Sequence, residues 1–235
     1  EVMPYSGGFH RNIVQCLEDF EIPLYLSHTI TDIRGKARVE QVVVSQVDDQ
    51  RRPIPGTEMT FDCDTVLLSV GLIPENELTR DAGIVMDPRT NGALVYENRE
   101  TSVPGIFACG NALHVHDLVD FVTAESMAAG AAAADYVQAG ELDRERTVQV
   151  TTNAHIGYTV PQRFRADSDG VEFYFRVRRV FKESRIQVTC GDQVIASFKR
   201  EHMAPGEMET IKIPKALLAR IDGDTLHIAA EEVQA

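Results

Sequence analysis

Residues 101–111, Thr-Ser-Val-Pro-Gly-Ile-Phe-Ala-Cys-Gly-Asn, constrain this chain more than any other stretch. The pattern reads as a turn, a buried strand over 105–108, and a glycine, Gly110, that lets another group approach the backbone. Asn111 follows just past the strand end. An alanine-rich segment over 118–137 then predicts a helix. Strand, glycine, polar residue and helix in that order is how open α/β sheets present a ligand at the carboxyl ends of their strands.

The rest of the chain decides how much of such a sheet is present. Its 235 residues suffice for one large domain or two modest ones. A net charge of −13 with no basic block excludes nucleic acid and an anionic membrane surface as partners. No apolar run has the length of a membrane span. Cys16, Cys63, Cys109 and Cys190 are scattered without a C-x-x-C pair. Neither a zinc ribbon nor a redox dithiol is written, and four reduced cysteines in a cytoplasmic protein are expected. The chain opens on Glu1 rather than Met, which reads as a segment excised from a longer polypeptide.

Apolar spacing predicts a helix over 11–20, then strands over 22–33 and 39–47, with a short return strand at 59–61. The continuous apolar run 64–71 has the composition of a strand buried on both faces. Short strands are expected at 83–87 and 93–96. The charged stretch 140–146 reads as a connector. Beyond it, alternating runs such as Phe173 to Phe181 and Arg185 to Cys190 predict a small sandwich or barrel.

Several residues stand out as site candidates. The helix start at Leu118 and Val119 offers free backbone N–H groups and a positive dipole end, suited to an anion or an electron-rich ring. Asp117 or Asp120 is expected to cap that helix. Asn111 reads either as a ligand-bonding amide or as a turn residue. His114 and His116 have three readings. They form a metal pair, face solvent from a loop, or lie beside a ligand where His116 handles a proton. No third metal ligand has a convincing spacing, so no metal is expected. Gly7 and Gly8 before the first helix read as a loop rather than a phosphate cradle. Arg176, Arg178 and Arg179 read as the solvated face of a strand.

The 101–111 stretch resembles the closing flavin-binding segment of FAD-dependent pyridine nucleotide-disulfide oxidoreductases, T-x-x-x-G-I-F-A-x-G-D. Ser69-Val-Gly71-Leu-Ile-Pro74 resembles the family's A-x-G-x-x-P segment, which links the nucleotide domain back to the flavin domain. The phrasing Cys109-Gly-Asn-Ala-Leu-His-Val-His-Asp117 is similar to bacterial NAD(P)/FAD-dependent oxidoreductases associated with anaerobic glycerol-3-phosphate dehydrogenase-like proteins. The resemblance implies an α/β fold: an incomplete two-dinucleotide-binding-domain flavoprotein core plus a small all-β C-terminal domain. The implied divisions are 1–63 (second half of the pyridine-nucleotide domain), 64–146 (last segment of the FAD domain) and 147–235 (a β-sandwich-like domain). It further implies FAD at Gly110, Asn111, Leu118 and Val119, with NAD(P)H as donor. An unidentified acceptor, a partner subunit and a homo-oligomer are the implied partners. Asn111 stands where the family has Asp, and an N-terminal G-x-G-x-x-G is absent. The chain is therefore expected to be inactive alone. The rival reading is a non-enzymatic assembly or dimerisation module of a flavoprotein complex.

Overall fold

The computed structural model describes residues 1–141 and 146–233. Most of the connector expected at 140–146 thus lies outside the described residues. The fold is mixed α/β and divides into two compact units, Glu1–Gly71 and Leu72–Ala235.

The first unit begins with a four-residue helix α1 (His10–Ile13), which widens into a π turn over Val14–Glu18. The α-helix expected over 11–20 is therefore shorter. Asp19 and Ile22 donate to carbonyls five residues back. No residue of the π turn is buried, so no packing enforces tighter winding. Strands β1 (His28–Arg34), β2 (Gln41–Gln46) and β3 (Met59–Asp62) form one antiparallel sheet in that order. The strand expected over 22–33 starts only at His28. Pro23 lacks a donor, and Ser27 sits at φ 55°, which breaks the extended run just before it.

The largest departure is at 64–71. This run forms no strand, and Leu67 and Val70 are 91% and 89% exposed. An apolar strand of this kind needs neighbours on both edges and layers on both faces. Among the described residues it has no ladder partner.

The second unit opens with α2 (Glu77–Asp81) and a two-residue ladder, β4 (Met86–Asp87) against β5 (Gly92–Ala93). The longer strands expected at 83–87 and 93–96 shrink to this ladder around the turn at Asn91. A Cβ on Gly92 would lie 1.8 Å from the Leu113 carbonyl oxygen, so only glycine fits there. The buried Asn76 amide donates to both Asn91 O (2.8 Å) and Ala112 O (2.7 Å), tying the ladder to the turn after Gly110.

Residues 105–108 are not a buried strand either. Pro104-Gly105 makes a tight reversal, with Gly105 at φ 75°, and leaves a single bridge between Glu100 and Phe107. The helix expected over 118–137 is α3 (Val119–Ala139), ended by Gly140 at φ 82°. Only Glu125 and Ala129 of α3 are buried.

The remaining strands are β6 (Thr147–Thr152), β7 (Ile156–Val160), β8 (Arg163–Arg165), β9 (Gly170–Val177), β10 (Phe181–Cys190), β11 (Gln193–Met203), β12 (Glu209–Pro214) and, after the short helix α4 (Lys215–Leu218), β13 (Thr225–Glu232). They form a five-stranded sheet, β11-β10-β13-β6-β8, and a three-stranded one, β12-β9-β7. The one parallel pairing among the described residues is β13 with β6. Alternate residues of both sheets meet in one core that includes Phe164, Phe173, Phe175, Phe181, Ile186 and Ile228. Phe173→Ala is expected to cost about 3–5 kcal/mol, because its fully buried ring has no room to be replaced by solvent. Urea unfolding followed by circular dichroism checks this; a cost below about 1 kcal/mol would mean the ring is not packed as described.

Polar contacts join these sheets to the α3 segment. Gln162 Oε1 accepts from Val95 N (3.0 Å) and its Nε2 donates to Asp87 (3.1 Å). Arg165 reaches both Glu97 (2.7 Å) and Glu100 (3.4 Å). Arg176 donates to the Val115 carbonyl (3.0 Å), to the Gly206 carbonyl (2.9 Å) and to Asp117. Arg176 is thus not on a solvated face: the loop before α3 covers its side of β9. Arg178 and Arg179 are exposed, as expected.

Candidate functional site

Gly110–Ala112 form one 3₁₀ turn. Gly110 lies at φ 68°, a left-handed conformation that favours glycine. Space is not the constraint, since an added Cβ would meet only Val122 at an ordinary 3.5 Å. Its amide does not face a ligand: it donates inward to Glu125 Oε2 at 2.8 Å. Asn111 is exposed, and its Oδ1 accepts from His116 N at 3.0 Å. Among the described residues the amide's Nδ2 has no hydrogen-bond partner.

Leu118 is the N-cap residue of α3, extended at φ −128°, with no side-chain cap. Asp117 does not fill that role. Its carboxylate is held by Arg176 and by Met208 N (2.6 Å). Asp120 does not cap either. The first-turn amides at Val119 and Asp120 therefore remain available at the positive end of a 21-residue helix. Gly110, Asn111 and Leu118 precede α3 and Val119 begins it, but Gly110 contributes shape rather than a donor.

The two histidines are buried, not solvent-facing. His114 Nε2 and His116 Nε2 lie 3.2 and 2.8 Å from the two carboxylate oxygens of Glu125. Arg99 Nε donates to the same carboxylate at 2.8 Å, and its guanidinium lies over the Tyr174 ring. Tyr158 and Tyr174 close the cluster from β7 and β9. Sequence reasoning missed Glu125. One signal was available: an acid on the helix face of Ala129, Ala132 and Tyr136, the spacing of a packed stripe.

Burial works to raise the Glu125 pKa, but hydrogen bonds from His114 and His116 and the Arg99 charge outweigh it and hold the carboxyl well below its usual range. Burial lowers the His114 pKa, only partly offset by Glu125. For a histidine lowered on folding, the unfolded chain binds more protons. Its stabilising contribution is complete above the unfolded value of 6.5 and is lost as pH falls through the folded one. Stability is therefore expected to fall below pH 6.5 with a slope of up to about 1.4 kcal/mol per pH unit from this residue. His114→Gln removes that component, as measured by urea midpoints across pH; an unchanged slope in the variant would contradict the assignment.

His114, His116 and Glu125 also bring ligand atoms within 4.8 Å of one another, close enough for a metal ion. A metal on Nε2 would move both ring protons to Nδ1. Both Nδ1 atoms are buried and have no acceptor among the described residues, whereas metal-bound histidines normally donate that proton to one. The donor set fits a hydrogen-bonded carboxylate better than a metal centre.

The chain belongs to the pyridine nucleotide-disulphide oxidoreductase family, whose sequence profile matches residues 5–155. It is 32% identical to an NADH oxidase of Streptococcus pneumoniae R6 over 113 residues, 48% of this chain and 22% of that protein. It is 31% identical to an NADH oxidase of Methanocaldococcus jannaschii over 109 residues, 46% of this chain and 20% of that protein. Among solved structures it resembles T. acidophilum thioredoxin reductase, with 25% identity, a TM-score of 0.49, and coverage of 58% of this chain and 43% of that one. The chain thus spans about a fifth of the length of the NADH oxidases it matches. The family is named for oxidoreduction. No helix among the described residues is long and apolar enough to cross a membrane.

The residues present fit a flavin on one side only. An exposed amide with a free donor and an uncapped helix start suit hydroxyls and an electron-rich ring. No cradle for a pyrophosphate accompanies them in the 101–119 segment.

Proposed function

We propose that this chain is the C-terminal portion of an FAD-dependent NAD(P)H oxidoreductase, of the bacterial type associated with anaerobic glycerol-3-phosphate dehydrogenase-like proteins. The observation that carries the reading is the uncapped start of α3 together with the exposed Asn111 amide that precedes it in the chain, both within the segment matched by the family. Residues 1–63 would complete a pyridine-nucleotide domain, 64–146 an FAD domain, and 147–235 form the all-β appendage. The acceptor is a further protein or small molecule, and a cytoplasmic setting suits the four free cysteines.

FAD, when bound, would supply hydride acceptance and onward electron transfer. This chain's residues would hold the isoalloxazine and ribityl side: Asn111 through Nδ2, and Val119 and Asp120 through backbone N–H groups. Two uncovered surfaces support a missing companion segment. One is the apolar run 64–71; the other is the outer face of α3, where Met127 and Val137 are exposed.

The expected result is that the 235-residue chain, purified alone, is colourless, self-associates and does not oxidise NADH. A stoichiometric, tightly held flavin would overturn the inactive-fragment reading. In the longer polypeptide, Asn111→Leu is expected to weaken FAD binding about tenfold, the loss of one hydrogen bond to the ligand. Unchanged affinity by fluorescence titration would remove Asn111 from the site.

A further inference from the structure

We infer that Glu125 and His116 are positioning residues for the ligand-facing turn, holding Gly110 and orienting the Asn111 amide so that it offers a ligand a donor rather than an acceptor. The inference rests on the reading of this turn as flavin-facing.

Four donors converge on one carboxylate. Arg99 Nε and His114 Nε2 meet Oε1, while Gly110 N and His116 Nε2 meet Oε2. A carboxylate has about four lone-pair sites, so Glu125 is saturated. Because an ionised carboxylate only accepts, both imidazoles carry their proton on Nε2. Tautomer and ring orientation are thereby set by one side chain of α3.

His116 transmits this constraint. Its ring is tied to Glu125, and its backbone N–H donates to Asn111 Oδ1 at 3.0 Å. A backbone N–H needs an acceptor, so the amide oxygen faces inward and Nδ2 is the atom left for a ligand. An aspartate at 111 would present an oxygen there. Asn in place of the family's Asp therefore reverses the polarity of the side-chain group offered at this position. The preferred ligand atom is an acceptor, such as a hydroxyl or carbonyl oxygen. The groups around the pair are Arg99, His114, Tyr158 and Tyr174, with the Asp117–Arg176 ion pair beyond.

Two measurements test this. In the first, long-range ¹H–¹⁵N correlation on the histidine-labelled 235-residue chain, with His114→Gln and His116→Gln for assignment, is expected to show both imidazoles as the Nε2–H tautomer at neutral pH. An Nδ1–H tautomer at His116, or stoichiometric uptake of Zn²⁺ alone with displacement of the Nε2 protons, would overturn the network. In the second, FAD affinity is measured in the longer polypeptide for Glu125→Gln, Asn111→Leu and the double variant. Each single change is expected to weaken binding about tenfold, and the double variant no further, because Glu125 acts through Asn111. Multiplicative losses would make Glu125 merely structural and overturn the positioning role. If the unaltered polypeptide holds no FAD while both tautomers are Nε2–H, the flavin reading fails, and the ligand-facing role with it, but the hydrogen-bond network stands.

Discussion

Glu125→Ala is expected to destabilise the unit from Leu72 onward by about 3–5 kcal/mol. The change removes the acceptor for four donors at once and leaves the buried Arg99 guanidinium without its counter-charge. Arg99 keeps one bond, to the Glu97 carbonyl at 3.0 Å, which does not neutralise it. Glu125→Gln keeps the shape but turns one acceptor into a donor facing donors, so its cost is intermediate. Urea unfolding at pH 7 measures both. A loss within 1 kcal/mol for Glu125→Ala would mean that water reaches Arg99 and the cluster is not sealed.

Arg165→Ala is expected to be comparably damaging, again about 3–5 kcal/mol, at a different place. Arg165 lies at the joint between the β sheets and the α3 segment, with its guanidinium on Glu97 and Glu100 and near the Tyr96 ring. Glu97 would keep only the backbone N–H of residue 165 as a donor, at 3.0 Å, and its charge would be buried without a cation. The expected signature is loss of cooperativity: the β sheets, with their own core, unfold in a later transition than the α3 segment. Lys215→Met, which breaks an exposed ion pair with Asp169, serves as the control and should leave the midpoint unchanged. If Arg165→Ala behaves like that control, the joint is held by apolar contacts alone.

Both predictions concern residues that local patterning did not single out. Helix α3 was legible because alanine favours helix without help from neighbours and Gly140 ends it. The strands from 147 onward were legible because their burial alternates with period two, as in Phe173, Phe175 and Val177. The runs at 64–71 and 105–108 misled for one shared reason. A strand is defined by a partner, and an apolar run carries no record of whether its partner is present.

The candidate site divides the same way. Adjacent residues alone specify the family segment, the glycine at 110, the amide at 111 and a helix start just beyond, since each depends on a short stretch of chain. Long-range packing sets which neighbours those groups meet. Glu125 sits 15 residues beyond Gly110, 9 beyond His116 and 26 beyond Arg99, and no periodicity links these distances. They meet because helix packing turns one face of α3 inward. A carboxylate taken there is stable only with donors around it, so the loop histidines fold in rather than out. That burial assigns His116 to holding the turn, and leaves Asn111 and the open end of α3 to face whatever binds.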